Sequence, residues 1–258
     1  MRTLRDMWSM TKRSLRHTTR SLDTIITVVL TPIAILLLFV FVFGGALESQ
    51  TGSIQYVDFI TPAVIMMTVG SGIAYAAARL SMDLQKGIIS RFRTMPLAPS
   101  SVLSGQALSS TLSSLFSCVL VLVVAFIVGF RSAAGVSGWL WFTFILALFT
   151  LATTWMAIFF GLLARTVEGA GAFAYILLLL IFISPAFVPT ESMTPALRSF
   201  AEYQPMTPIV ETMRSLLSSG TPGDAVGAAL AWSLGILVVF YTLALVVYRR
   251  REPVTAPQ

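Results

Sequence analysis

Few residues of this chain have the types and spacing that catalysis requires. His17 is the only histidine and Cys118 the only cysteine, so neither an internal disulfide nor a Cys/His zinc pattern is available. The two lysines, Lys12 and Lys86, lie outside any G-x-x-x-x-G-K-[ST] sequence, which excludes ATP binding by a P-loop. No pair of carboxylates falls inside an apolar stretch. We therefore expect no catalytic centre, no metal site and no cofactor in this chain.

One charged segment between two apolar stretches has the residue types of a docking surface. We predict a helix over residues 81–95, roughly 20 Å long at the usual rise per residue. Its apolar ridge is Leu84, Ile88 and Phe92, and its basic positions are Lys86, Arg91 and Arg93. An ordinary basic loop would account for the charges but not for the ridge. The pattern therefore favours a helix that binds a partner protein and ends before Pro96.

The composition places most of the chain in a membrane. Hydrophobic residues make up 56% of it and charged residues 11%, whereas soluble domains carry about 25% charged residues. Six apolar segments are long enough to cross about 30 Å of hydrocarbon, namely residues 25–47, 57–80, 102–129, 139–164, 169–188 and 226–248. We expect a kink at Pro32 and a helix end near Ser184. The predicted fold class is an all-α integral membrane protein, with residues 1–258 as a single transmembrane domain.

Residues 1–23 have the pattern of an amphipathic helix that lies on the membrane surface. Leu4, Trp8 and Leu15 recur at helical spacing, while basic residues such as Arg13 and Arg16 occupy the other faces. Basic side chains at this depth attract anionic lipid headgroups. A disordered basic tail is the alternative.

Residues 190–224 predict a re-entrant helical hairpin between the fifth and sixth spans. The segment is proline-rich and moderately apolar, and it reads as two short helices split at Pro205 to Pro208. Neither helix is long enough to span, so the apolar faces must enter one leaflet or pack on the bundle.

The third span carries a polar stripe. Ser109, Ser113 and Ser117 follow one another at steps of four, which places them on one helical face. Hydroxyls in lipid bond their own helix or a neighbouring one, so helix packing is the favoured interpretation. The alternative is a substrate path, to which Met66 of the second span would also belong.

The distribution of basic residues predicts the orientation. Fourteen Lys and Arg residues lie on the side of the two termini and three on the other side. Both termini are therefore expected in the cytoplasm of a bacterial cell, with the protein crossing the plasma membrane several times. Residues 81–95 are then cytoplasmic and residues 190–224 extracellular.

The order of these elements and two motifs resemble a known family. The motifs are Arg91-Phe-Arg-Thr-Met-Pro96 and Gln204-Pro-Met-Thr-Pro208, the latter followed by Arg214. Together they resemble the permease subunit of type-2 ATP-binding-cassette exporters, particularly the daunorubicin-resistance branch. The resemblance implies that residues 81–95 are a coupling helix, which enters a groove on a separate ATPase subunit that holds ATP and magnesium.

The resemblance also implies roles for individual residues. The ATPase would be contacted by Leu84, Lys86, Ile88, Arg91, Phe92, Arg93, Met95 and Pro96. The interfacial helix would brace that contact through Leu4, Trp8, Arg13, Leu15 and Arg16. The outer hairpin would line or cap the exit through Gln204, Pro205, Thr207 and Arg214. Two permeases, identical or closely related, would assemble with two ATPases.

The function expected from these patterns is ATP-driven export of a hydrophobic or amphipathic compound, such as a drug or antibiotic. The bilayer centre has no charged residue that could couple transport to an ion gradient, so the energy must come from the partner. A lipid or lipid-linked glycan is the alternative cargo. A non-transporting channel or scaffold is the second alternative, and no nucleic-acid motif is present.

Overall fold

A computed structural model describes residues 26–44, 56–86, 99–187 and 193–250. Within these ranges every regular element is helical. The helices are α1 (Thr31–Leu38), α2 (Tyr56–Gln85), α3 (Pro99–Val128), α4 (Val136–Leu163), α5 (Val167–Ala172), α6 (Ala174–Ile183), α7 (Pro195–Tyr203), α8 (Met206–Ser219) and α9 (Val226–Arg250). The predicted all-α class is confirmed for the described part of the chain.

Four of these helices, α2, α3, α4 and α9, are long and apolar enough to cross a membrane. Two further apolar helical stretches are shorter, Val28–Val42 and Val167–Ile183. They coincide with the predicted first and fifth spans. Six spans in total therefore remain a prediction.

The first apolar stretch changes its helical geometry along its length. Five π-helical residues, Ile26–Leu30, precede α1, and another five, Phe39–Phe43, follow it. Pro32 occupies the first turn of α1, where its missing N–H removes no bond from the α-helix. The helix therefore changes from π to α geometry just before Pro32, and a kink at Pro32 stays a prediction.

Helix α2 is at the centre of the bundle. It packs against α3, α4, α5 and α6, and the side chains from Ile60 to Val69 are buried. Small residues allow close approach on two sides. A Cβ added to Gly161 of α4 would lie 2.9 Å from the Ala77 carbonyl oxygen, and one added to Gly72 would lie 2.2 Å from Ser114 Oγ. The Ala77 backbone and the Ser114 side chain therefore leave no space for a Cβ at Gly161 and Gly72 as the helices are packed.

Three element boundaries are placed more exactly by the structure than by the sequence. Helix α2 continues without a break to Gln85, so the first residues of the 81–95 segment belong to the second span. The fifth span is divided at Phe173 and its helix ends at Ile183, which agrees with the end predicted near Ser184. The hairpin divides at Gln204 and Pro205, while Pro208 lies in the first turn of α8. Proline is tolerated in a first turn because the N–H there has no partner.

Candidate functional site

Two ends of the bundle are distinguished below by the predicted orientation. The outer end holds α8 and the loop between α3 and α4, and the inner end holds the turn between α4 and α5.

Residue Arg214 of α8 connects three parts of the chain at the outer end. Its Nη2 donates hydrogen bonds to the carbonyl oxygens of Pro185 at 2.8 Å, Ala186 at 3.1 Å and Phe59 at 3.4 Å. The predicted hairpin residue Arg214 therefore joins α8 to α2 and to the turn after α6.

The guanidinium of Arg214 also lies on an aromatic face. Its Cζ is 4.0 Å from the centre of the Phe59 ring, within the range of a cation–π interaction. Burial lowers the pKa of Arg214 to about 10, and the nearby Glu211 opposes that shift. The side chain therefore remains a cation at neutral pH, and its bonds to carbonyl oxygens are charge-assisted.

The tip of the outer hairpin is closed by its own polar groups. The Gln204 backbone N–H donates to the Phe200 carbonyl at 3.2 Å and so ends α7. The Thr207 hydroxyl donates to the Ala201 carbonyl and bridges the two helices. Pro205 is the N-cap residue of α8 and provides no side-chain cap. The structure thus brings Gln204, Pro205 and Thr207 together, with Arg214 two turns further along α8.

The far end of α8 is fixed to the loop between α3 and α4. The Leu217 carbonyl accepts hydrogen bonds from Ser132 Oγ at 2.8 Å and from the Ala133 N–H at 3.1 Å. Gly220 ends the helix with φ of +74°, a left-handed conformation that glycine adopts without strain. A Cβ added to Gly138 would lie 3.0 Å from the Gly220 Cα. The hairpin is therefore packed on the bundle along the length of α8.

A second outer contact joins α2 to the α3–α4 loop. The Asp58 carboxylate accepts a hydrogen bond of 2.9 Å from the Arg131 N–H. The Arg131 guanidinium in turn donates to the Phe126 and Phe130 carbonyls at the end of α3. Asp58 and Arg131 therefore hold the outer ends of α2 and α3 together.

The predicted polar stripe of α3 lies inside the bundle. Ser109 and Ser117 are buried, Ser113 is half-buried, and Met66 of α2 is fully buried. Ser117 Oγ donates to the Ser113 carbonyl at 3.1 Å, one turn back along its own helix. This bond satisfies the hydroxyl within the helix, as expected for a serine in an apolar setting.

Neighbouring hydroxyls contact other helices. Thr111 Oγ1 donates to Thr154 Oγ1 of α4 at 3.4 Å, while Ser114 lies against Gly72 of α2. Such contacts are characteristic of packed membrane helices, the interpretation that the sequence favoured. A substrate path along Ser109, Ser113, Ser117 and Met66 stays a prediction.

The inner end of α2 is bonded to the turn between α4 and α5. Gln85 Nε2 donates to the Arg165 carbonyl at 3.3 Å, and Ser81 Oγ donates to the Thr166 carbonyl at 3.4 Å. Thr166 also caps α5, because its hydroxyl accepts from the Gly169 N–H. We call these two bonds from α2 the inner latch. It joins the first part of residues 81–95, the predicted docking segment, to the turn between α4 and α5.

Two of the predicted ATPase contacts lie in the described part of α2 and the turn after it. Leu84 packs on an inner cluster that contains Leu80, Leu103 and Tyr248, so this residue of the predicted ridge faces the chain's own helices. Lys86 is exposed, and its N–H donates to the Met82 carbonyl. The other predicted contacts, Ile88, Arg91, Phe92, Arg93, Met95 and Pro96, lie outside the described residues, as do Leu4, Trp8, Arg13, Leu15 and Arg16.

Some residues that make contacts in this site were not predicted from the sequence. Phe59, Ser81 and Gln85 belong to the predicted second span and its continuation, where their types alone do not indicate a partner. Gln85 follows Ser81 by four residues, which places two hydrogen-bond donors on one face of α2, and this spacing could have indicated a contact there.

Within the described ranges no group of three or more His, Cys, Asp or Glu residues could hold a metal ion.

Comparison with known proteins identifies the family of this chain. Residues 5–218 match the family model described as ABC-2 type transporter. The chain is 30% identical over 230 residues to the daunorubicin resistance ABC transporter permease protein DrrB1 of Streptomyces coeruleorubidus, covering 88% of this chain and 80% of that protein. It is 24% identical over 241 residues to the probable doxorubicin resistance ABC transporter permease protein DrrC of Mycobacterium tuberculosis, covering 93% and 87%.

The family match extends across the site described above. It includes the inner latch, the polar stripe of α3 and the outer hairpin as far as Ser218. Members of this family are the permease subunits of ATP-binding-cassette transporters. The permease subunits are not themselves catalytic. The chain therefore belongs to the ABC-2 type transporter family, as a multi-pass helical permease similar to the daunorubicin and doxorubicin resistance permeases.

Proposed function

We propose that this chain is the membrane subunit of an ATP-driven exporter that moves a hydrophobic or amphipathic compound, such as a drug, out of a bacterial cell. Two copies, or this chain and a close relative, would assemble with two copies of a separate ATPase that binds ATP and magnesium. Both termini would lie in the cytoplasm, and six spans would form the permease.

One observation carries the mechanical part of this proposal. Helix α2 is continuous from Phe59, which contacts Arg214 at the outer end, to Gln85, which lies inside the docking segment at the inner end. Its outer end contacts the hairpin and its inner end is held by the inner latch. A displacement of the docking segment would therefore be carried along α2, which has Pro62 in its interior, to the contact with the hairpin. The names of the similar permeases support a drug as cargo.

The experiment that tests this function uses the chain co-expressed with its cognate ATPase. Lys86, Arg91 and Arg93 are replaced together by Glu, which reverses the charge of the docking segment. The matched control replaces Arg249, Arg250 and Arg251 by Glu at the end of α9, which changes the net charge equally. We expect ATPase co-purification and ATP-dependent uptake of drug into inverted vesicles to be lost in the first variant and retained in the control.

The outcomes separate the candidate functions. Survival of both ATPase binding and uptake in the docking variant would contradict the coupling assignment. A lipid or glycan cargo would be indicated if inverted vesicles accumulated labelled lipid-linked substrate and no drug. Ion conduction by liposomes that contain the purified chain alone would support a channel and contradict the exporter.

A further inference from the structure

The tip of the outer hairpin contains a polar side chain that is buried without a partner. Gln204 is 4% exposed, and neither Oε1 nor Nε2 of its amide makes a hydrogen bond. Its backbone N–H is satisfied by the Phe200 carbonyl, so the unmet groups are those of the side chain alone. A buried amide that lacks both partners is unfavourable compared with an apolar side chain of similar size.

The same tip also presents backbone donors. The N–H groups of a helix's first turn have no acceptor within the helix. At α8 the N-cap residue Pro205 and the third residue Pro208 have no N–H, so Met206 and Thr207 provide the free donors. Both residues are buried, and the positive end of the helix dipole lies at this point.

The tip therefore has more donors than acceptors. Gln204 Nε2 and the two N–H groups of α8 can donate to an incoming oxygen, whereas Gln204 Oε1 is the one unpartnered acceptor among these groups. The surroundings are apolar, since Met206, Ile209 and Val210 belong to the main core cluster. Such a setting favours a neutral oxygen acceptor carried on an apolar body over a free anion, whose desolvation would be costly.

We propose that the hairpin tip binds a carbonyl oxygen of an amphipathic compound, with Gln204 as the residue that selects for it. This inference rests on the proposed export function and specifies the substrate class. A lipid ester is a second source of the same carbonyl chemistry. The experiment therefore uses two lipid environments.

The test measures binding of two probes that differ by one carbonyl, radiolabelled 9-fluorenone and fluorene. The permease, in complex with its ATPase, is placed in nanodiscs of diester or diether phosphatidylcholine, and binding to empty nanodiscs is subtracted. We expect the native complex to bind fluorenone about three- to tenfold more tightly than fluorene, the range of one or two hydrogen bonds. Gln204→Met, nearly the same shape without the amide, should reduce that ratio to about one.

A matched control separates recognition from stability. Ser233→Ala removes another buried, unpartnered polar atom, on α9 rather than on the hairpin, and should keep the native ratio. Gln204→Leu serves as a second apolar variant if Gln204→Met does not fold. If the Gln204-dependent preference for fluorenone appears in both lipids, the site is assigned to the exported compound. If the preference appears only in diether lipid, the site is assigned to the lipid ester, because the ester carbonyls of diester lipid then compete with fluorenone.

The remaining outcomes overturn the proposal. No preference in either lipid, or a preference that Gln204→Met leaves unchanged, would mean that ordered water satisfies the amide. Drug uptake into inverted vesicles is measured on the same complexes. If uptake persists while the fluorenone preference is absent, the carbonyl site is wrong and the export function stands. If the native complex transports no drug, the export function itself fails.

Discussion

Gln85 of α2 donates a hydrogen bond to the Arg165 carbonyl, 80 positions later in the sequence. The bond joins the start of the docking segment to the turn between α4 and α5. The bond gives a carbonyl of that turn a donor from α2. Together with the bond from Ser81 to Thr166, it makes two connections between these segments at the inner end of the bundle.

Removing the inner latch should reduce the coupling of ATP hydrolysis to transport. We expect Ser81→Ala combined with Gln85→Leu to lower substrate-stimulated ATP hydrolysis about fivefold, the low end of the effect of losing two hydrogen bonds. ATPase binding should persist, because Lys86 and the other basic residues are unchanged. Ser71→Ala is the control, since Ser71 donates only to Met67 of its own helix. Equal stimulation in the latch variant and the control would contradict the prediction.

Loss of the Arg214 contacts should destabilise the outer end. Arg214→Leu leaves the carbonyls of Pro185, Ala186 and Phe59 without this donor and removes a cation from the aromatic ring. We expect a loss of about 2–4 kcal/mol, measured by thermal denaturation in nanodiscs. Arg198→Leu is the control, because Arg198 is an exposed partner of Glu202 and its removal should change stability by about 0.5 kcal/mol or less. Equal effects of the two variants would exclude a structural role for Arg214.

A side chain at Gly161 should disrupt the packing of α4 on α2. A Cβ there would lie 2.9 Å from the Ala77 carbonyl oxygen, a backbone atom that cannot rotate away. We expect Gly161→Ala to cost about 1–3 kcal/mol of stability through overpacking. Gly235→Ala on α9 meets no atom within 4 Å and should be neutral or stabilising, because alanine favours helix. The same thermal assay compares the two, and a Gly161→Ala protein as stable as Gly235→Ala would contradict the close contact.

Glu211 should give the outer hairpin a pH dependence. Burial raises the pKa of Glu211, while Arg214 lowers it and Glu202 raises it further. A carboxyl whose folded pKa is raised favours the folded state below its unfolded value near 4.5, and that benefit is lost as pH rises through the folded pKa. We expect Glu211→Gln to raise the melting temperature slightly at pH 7 and not at pH 4. Asp224→Asn, in the exposed outer loop, is the control, and a Glu211→Gln gain at both pH values would contradict the assignment.

Much of the helical framework could be predicted because each apolar segment carries its own signal. Length and hydropathy predicted α2, α3, α4 and α9, and the prolines near Ser184 and at Pro205 marked helix ends that the structure contains. The end of α2 was harder to place, since Ser81 to Gln85 is polar and still helix-compatible. Hydropathy identifies where lipid ends, whereas backbone hydrogen bonding decides where the helix ends.

The contacts of the site depend on tertiary structure and could not be read from spacing. Arg214 was singled out by its motif, but its bonds to Pro185 and Ala186 join residues almost thirty positions apart. Leu84 was assigned to a ridge that faces a partner protein. The spacing of apolar residues shows which face of a helix is apolar, but it does not show which neighbour covers that face. The structure places Leu84 against the inner cluster of the same chain, which contains Leu80 and Tyr248.

Helix α9 packs chiefly on α4 and leaves most of its apolar surface uncovered. During synthesis it leaves the ribosome after every helix that it contacts. The remainder of the bundle, centred on α2, can thus assemble in the membrane before α9 is inserted. Insertion of α9 adds one interface to a core that has already formed. A substitution that disturbs α9 would therefore affect this last step of assembly and leave the packing of the earlier helices unchanged.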